Sequence, residues 1–174
     1  MAGKVAVVVG AGSSGPGWGN GKATAALFAR EGAKVICVDV NAAAANETAA
    51  LIVGEGNEAI ALVADATLDT DVERIVSATL ARFGRIDVLD NNVGIAVLGG
   101  VEDLAESEWD RVFDVNLKSC FLTMKHVVPV MRLQGSGSIV NISSFVSIRY
   151  TGVPYVSYSA SKAALNHLTK VSAA

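Results

Sequence analysis

The sequence predicts an α/β fold built on a parallel sheet, and three observations carry that prediction. Strand-like apolar runs alternate with helix-forming stretches along the whole chain, which favours right-handed crossovers between parallel strands. The first run, Val5–Val9, is continuously apolar rather than alternating, as strands buried on both faces are. Ala and Val make up 27 and 25 of the 174 residues, supplying small helix faces that pack closely on β-branched strands. The length suits one domain with a sizeable core.

Each element follows from its own residues. Val5–Val9 forms the first strand. Lys22–Arg30 is a helix, with Ala23, Ala26, Leu27 and Arg30 at helical spacing and Gly32 as its stop. Val35–Val40 is the second strand. Asn41 caps an alanine-rich helix reaching Val53, and Gly54-Glu55-Gly56 breaks it. Ala59–Val63 is a third, short strand. Thr70 precedes a helix over Asp71–Phe83, with Val72, Ile75, Val76 and Leu80 on one face and Gly84 at its end. Ile86–Leu89 is the fourth strand. Leu104–Gln134 is mostly helical, and Pro129 inside it predicts a kink or local break. Gly135–Gly137 leads into a fifth strand, Ser138–Ile142. A loop to Val156 then precedes a helix over Tyr158–Ala174.

Composition excludes several functions. A hydrophobic fraction of 51% rules out a disordered chain. Fourteen Lys+Arg against 17 Asp+Glu give a net charge of −3 with no basic cluster, which argues against nucleic acid and against a membrane-surface helix. The apolar runs are far shorter than the roughly 20 residues of a bilayer span. Met1–Lys4 leads straight into the first strand without a signal-peptide layout. Cys37 and Cys120 sit in apolar surroundings without metal-type spacing, so two reduced core thiols in a cytoplasmic protein are expected. His126 and His167 have no metal partners at suitable spacing and read as surface or interface residues.

The turn after the first strand carries chemistry. Gly10, Gly12 and Gly15 match G-x-G-x-x-G, and the match gains meaning from its place between a buried strand and a helix. Glycine lets the backbone approach a pyrophosphate, and the helix N-terminus faces it with free N–H groups. Gly19-Asn20-Gly21 is expected to make the tight entry into the helix, with Ser13 and Ser14 offering hydroxyl and N–H groups to the phosphates. A plain surface loop is the competing reading. Asp39 ends the second strand, where a carboxylate accepts hydrogen bonds from adenosine ribose hydroxyls and repels a 2′-phosphate. That favours NAD over NADP; a solvated charge or a helix cap is the alternative.

The reactive end lies near the C-terminus. Tyr158 and Lys162 are four residues apart on one helix face. An ammonium beside a tyrosine stabilises phenolate, and such a tyrosine exchanges protons with an alcohol or a carbonyl oxygen. Ser144 closes the fifth strand at the sheet edge where open α/β sheets bind ligands. Asn116 sits inside a helical stretch that it disfavours, which points to a local distortion or a bound water. Taken singly, Ser144 reads as a turn residue and Asn116 as a cap.

Together these motifs resemble the short-chain dehydrogenase/reductase family along essentially the whole chain. The matching segments are Gly10–Gly21, Asp39, Asp65-Ala66, Asn91-Asn92-Val93-Gly94, Asn116, Ser143-Ser144 and Tyr158-Ser159-Ala160-Ser161-Lys162, in order. The resemblance implies a doubly wound, Rossmann-type sheet and a catalytic tetrad of Asn116, Ser144, Tyr158 and Lys162. Ser144 is chosen because the second serine of the pair is the usual one. The resemblance also places Asp65 and Ala66 beside the adenine, and Asn92 and Gly94 on the cofactor floor. Its implied reaction is hydride transfer between NAD(H) and an alcohol or ketone. In it Tyr158 is general acid/base, Lys162 binds the nicotinamide ribose, Ser144 positions the oxygen and Asn116 holds a water.

Three features depart from the family pattern. Eight residues separate Gly10 from Gly19 where three are usual, and the extra ones, including Pro16 and Trp18, are expected to form a flap near the cofactor. Asp90 stands at a normally apolar position, either reaching the rim or bonding a neighbouring loop, and Val93 replaces an alanine. The chain stops 12 residues after Lys162, so the expectation is a single domain over 1–174. It lacks the family's last strands and substrate-covering segment, which leaves the fifth strand on the sheet edge. The resemblance further implies a homodimer or homotetramer in a full-length protein. For that contact Cys120, Phe121, Met124 and Val128 offer an apolar stripe, although packing on the sheet is the commoner use. Two other functions compete: a truncated dinucleotide-binding module without turnover, and an NADP-linked reductase of ketoacyl type.

Overall fold

The computed structural model describes residues 1–173. Strands β1 (Val5–Val9), β2 (Lys34–Asp39), β3 (Ala59–Val63), β4 (Val88–Asn91) and β5 (Ser138–Asn141) form one parallel sheet in the order β3-β2-β1-β4-β5. Helices α1 (Asn20–Arg30), α2 (Ala42–Gly54), α3 (Asp69–Phe83), α4 (Glu106–Phe113), α5 (Ser119–Gln134) and α6 (Val156–Ser172) connect and follow them. The strand order reverses between β1 and β4, and open α/β sheets bind ligands at such a switch point. Ala174, the last residue of the helix expected from Tyr158, lies outside the described residues.

Two apolar layers sandwich the sheet. On one face Val7, Val9, Ile36 and Leu89 meet Val72 and Ile75 of α3 and Leu122, Val127 and Met131 of α5. On the other, Ala6, Val8, Val35 and Cys37 meet Ala25, Ala26 and Ala29 of α1 and Ile52 of α2. The α1 alanines are nearly unexposed, so small side chains bring that helix close to the sheet. Burial pushes the Cys37 thiol up to about 12, which keeps it protonated and unreactive.

Several boundaries move. Helix α1 begins two residues before the predicted Lys22 because extended Gly19 is its N-cap. Leu68, not Thr70, precedes α3. The largest shift is β4, which runs over Val88–Asn91 rather than Ile86–Leu89. Asp90 pairs with Val8 and Val140, and Asn91 with Val9 and Asn141. Asn91 is accommodated because its amide donates to Asn141 Oδ1 at 2.8 Å and its Oδ1 accepts from the Thr123 hydroxyl at 2.8 Å. Asp90 neither reaches the rim nor bonds a loop. It is 1% exposed, its Oδ2 has no partner among the described residues, and burial pushes the carboxyl up to about 6.

The long helical stretch is divided by a π-helical segment, Asp114–Lys118, which is where Asn116 sits. Helix α5 passes through Pro129 without a break. Pro129 and Lys125 are both exposed, so the carbonyl left without its N–H partner lies on the solvent side. In the apolar stripe, Cys120 and Met124 are buried and Val128 packs on the core, while Phe121 is exposed. Among the described residues no helix is long and apolar enough to cross a membrane.

Candidate active site

A cleft of about 1050 Å³ opens at the carboxyl ends of β1, β2 and β4. It is large enough for an extended ligand. Its floor is the turn after β1. Gly10 takes the left-handed region at φ +83°, where a Cβ would also strike Val93. At Gly21 a Cβ would lie 1.8 Å from the Gly10 carbonyl oxygen, so only glycine lets α1 start directly against the turn. The decisive feature is the helix end itself. Among the described residues no side chain caps α1 and no acidic residue occupies its first turn. Helix α2, by contrast, is capped by Asn41, which accepts from the N–H groups of Ala43 and Ala44. The α1 N-terminus is therefore a cradle of free N–H groups that fits a pyrophosphate.

The predicted binding residues divide by what they do. Gly10, Gly12, Ser13, Ser14 and Asn20 line the cleft, as do Asp65, Ala66, Asn92 and Gly94. Ser13 spends its hydroxyl within the turn, donating to the Gly17 carbonyl at 3.1 Å and accepting from the Gly19 N–H at 2.6 Å. It closes the base of the insertion rather than reaching outward. The extra residues form no flap over the cleft. Trp18 lies along α1, its ring centroid 5.5 Å from Lys22 Nζ and 5.9 Å from the Arg30 guanidinium carbon.

Asp39 accepts from the Gly12 N–H through Oδ2 and from the Asn41 N–H through Oδ1, both at 2.9 Å. These bonds aim the carboxylate and leave each oxygen a further lone pair for a hydroxyl. Asp65 Oδ1 accepts from the N–H and hydroxyl of Thr67, shaping the wall after β3. Asn92 donates to the Gly10 carbonyl at 3.2 Å and so holds the turn.

Four elements converge at the other end of the cleft. Tyr158 and Lys162 rise from α6, with Lys162 Nζ 6.0 Å from the Tyr158 ring centroid. Lys162 is buried, and its Nζ donates to the Ile142 carbonyl at 2.6 Å. Burial pulls its ammonium below the ordinary value of 10.5. Gly94 permits this placement, since a Cβ there would sit 3.2 Å from Nζ. Asn116 is fully buried and bonds on three sides: it accepts from the Ile95 N–H at 2.8 Å and donates to the Ile95 carbonyl at 2.9 Å and to Ser161 Oγ at 3.0 Å. Both amide protons are thus committed to protein. Ser144 accepts a long bond from the Val146 N–H, which leaves its own proton free to donate. Ser143 lines the cleft and donates to the Lys162 carbonyl at 3.3 Å.

Sequence reasoning missed two neighbours. Ser161 bonds Asn116, and its only sequence signal is its place inside the Tyr-x-x-x-Lys segment. Tyr155 stands edge-on to Tyr158 with ring centroids 6.1 Å apart; three-residue spacing at a helix start is the signal that could have found it. Among the described residues no group of three or more His, Cys, Asp or Glu gathers for a metal; His126 instead meets Asp69 at 3.0 Å.

Comparisons with known proteins bear on the family and the fold. A family model described as short chain dehydrogenase matches residues 4–174. An uncharacterized oxidoreductase of Thermotoga maritima is 42% identical over 169 residues, covering 97% of this chain and 64% of its own length. A levodione reductase of Leifsonia aquatica is 40% identical over 163 residues, covering 92% of this chain and 61% of its own. A crystal structure from Burkholderia xenovorans superposes with a TM-score of 0.91 at 47% identity, over 94% of this chain and 65% of that one. A 7α-hydroxysteroid dehydrogenase complexed with NADH and 7-oxo glycochenodeoxycholic acid gives a TM-score of 0.88 at 32% identity, over 96% and 63%. The chain thus spans between 61% and 65% of the length of these four proteins.

Proposed function

The chain belongs to the short-chain dehydrogenase family, and from that premise we propose that it exchanges a hydride between NAD(H) and an alcohol or ketone, with Tyr158 as general acid/base. The observation that carries this reading is the buried charge of Lys162. Its ammonium has no carboxylate partner among the described residues, only the Ile142 carbonyl. A desolvated cation favours an anion beside it, and the Tyr158 phenolate is the group at hand.

Bound NAD supplies the hydride acceptor, and NADH the donor. The α1 N-terminus and the glycine turn hold the pyrophosphate, and Asp39 takes the adenosine ribose hydroxyls. That carboxylate repels a 2′-phosphate, which supports NAD over NADP. Asp65 and Ala66 flank the adenine. During alcohol oxidation Tyr158 accepts the carbinol proton, and Lys162 stabilises the phenolate that does so. Ser144 donates its free O–H to the substrate oxygen and orients it. Asn116 keeps the Ile95 loop in place, so a water for proton relay meets its main chain rather than its amide. The buried thiols Cys37 and Cys120 suit a reducing cytoplasm, and the exposed Phe121 on α5 suits association with a second copy.

Tyr158→Phe tests the reading. Turnover followed by NADH absorbance should fall by at least about a hundredfold, while NADH binding stays as in the wild type. Unchanged turnover removes Tyr158 from its role. NADH binding by a wild-type chain that reduces no ketone points instead to a dinucleotide-binding module. Preference for NADP points to the ketoacyl-type alternative.

A further inference from the structure

The first turn of α1 presents N–H groups to the cleft, yet its own residues make it weak. It has no side-chain cap and no acidic residue. Gly21 lies inside it, and glycine is a poor helix former. Lys22 adds a cation at the end where the helix dipole disfavours one.

The inserted segment supplies what the turn lacks. At its base Ser13 Oγ accepts from the N–H of Gly19, the N-cap, at 2.6 Å. At its end Trp18 directly precedes that cap, and its ring lies within 6 Å of two cations of α1, at 5.5 Å from Lys22 Nζ and 5.9 Å from the Arg30 guanidinium carbon. Both cations also hold α2. Lys22 Nζ donates to Glu47 Oε1 at 2.5 Å, and Arg30 donates to Glu55, the C-cap of α2, at 2.8 and 2.5 Å. Lys22 and Arg30 are eight residues apart, as are Glu47 and Glu55, so the two ion pairs frame the ring. Lys22 is only 6% exposed, although Glu47 is mostly exposed. Gly19 and Asn20 line the cleft, and Trp18 and Lys22 are not part of its lining.

We infer that Trp18 is a positioning residue for the pyrophosphate: it staples the start of α1 and so orders the free N–H groups of Asn20, Gly21 and Lys22. This rests on the reading of the α1 N-terminus as the pyrophosphate cradle. A side chain just before the N-cap that packs on the helix fixes the angle at which the chain enters it. Here the packing is a ring against the Lys22 ammonium, which Glu47 holds in place. A first turn ordered in advance binds the two phosphates without a further ordering cost. Trp18 acts through the helix end and touches no ligand itself.

Calorimetric titration of ADP and adenosine into the wild type, Trp18→Ala, Trp18→Phe and Glu47→Ala tests this. ADP carries the pyrophosphate and adenosine lacks it. Trp18→Ala should weaken ADP about fivefold and leave adenosine within about twofold; Trp18→Phe keeps a ring and should recover most of the loss. A merely structural role would weaken both probes alike. Glu47→Ala removes a negative charge, which by Coulomb attraction alone would tighten ADP; release of Lys22 should instead weaken it about twofold. Should Trp18→Ala fail to fold, Glu47→Ala, at a mostly exposed position, decides by the sign of its effect. Unchanged ADP affinity in Trp18→Ala, an equal loss for adenosine, or tighter ADP binding by Glu47→Ala each overturns the inference. A wild-type chain that binds no ADP sinks the proposed function and this inference with it, whereas ADP binding indifferent to Trp18 sinks this inference alone.

Discussion

Asn116 Nδ2 lies 3.0 Å from Ser161 Oγ, a bond that runs from the π-helical segment to α6 inside the protein. With its two bonds to Ile95, the Asn116 side chain ties the floor loop of the cleft to the helix that carries Tyr158 and Lys162. Ser161 passes the link on by donating to the Tyr158 carbonyl at 2.9 Å. Ser161→Ala should therefore strand a buried amide proton and lower stability by about 1–3 kcal/mol. Ser161→Thr, which keeps the hydroxyl, should recover most of that in a urea melt. An alanine variant as stable as the wild type means the bond contributes nothing.

Asp39 offers a second test, on cofactor choice. Asp39→Ala removes the proposed acceptor for the ribose hydroxyls and releases the Gly12 N–H that now positions it. NAD affinity should fall about tenfold, since hydrogen bonds to a charged group contribute roughly 1.5–3 kcal/mol. NADP affinity should hold or rise, narrowing the gap between the two. Competition binding measures both, and a gap left as wide as before excludes Asp39 from the ribose site.

Asp90 makes stability depend on pH in an unusual sense. Its carboxyl is raised from 3.8 to about 6 by burial, so the folded chain binds more protons than the unfolded one between those values. Stability should then fall as pH rises from about 4 to about 6 and level off above, by up to about 3 kcal/mol. Asp87 acts below that window. Burial pulls its carboxyl up, but hydrogen bonds from Arg85, the Val5 N–H and Lys4 outweigh burial and hold it at about 2. Its stabilisation is present above about pH 4 and is lost as pH falls towards 2. Asp90→Asn should flatten the upper window, and Asp90→Leu should add about 1–3 kcal/mol at neutral pH. Thermal melts of both variants across pH 4–8 check this; an unchanged slope for Asp90→Asn places the titration elsewhere.

Much of this molecule is legible in one dimension. The Val5–Val9 run, the glycine turn and the Asn41 cap are each set by residues a few positions apart, and all three form where expected. Lys162 comes to lie against Tyr158 because both sit on one helix face. The errors fall where local signals and tertiary partners disagree. Asp90 and Asn91 look like the end of a strand, yet they continue β4. Asn91 does so because Thr123 and Asn141, 32 and 50 residues away, satisfy its amide. Pro129 looks like a helix break, yet the irregularity sits earlier, at Asp114–Lys118.

The site shows the same division. Its candidate residues, from Asp39 to Lys162, are recognisable because their types and spacing follow the alternation of strand and helix. Their duties were decided only by folding. Ser13 turned inward on Gly17 and Gly19, Trp18 lay down on α1, and Asn116 bonded Ile95 and Ser161. Tyr155, three residues before Tyr158, is also bridged to Gly99, 56 residues earlier in the chain. The physical reason is range. Backbone sterics and apolar periodicity act over a few residues and so can be read along the chain. Hydrogen-bond satisfaction and ring packing depend on which distant segments the sheet order makes neighbours.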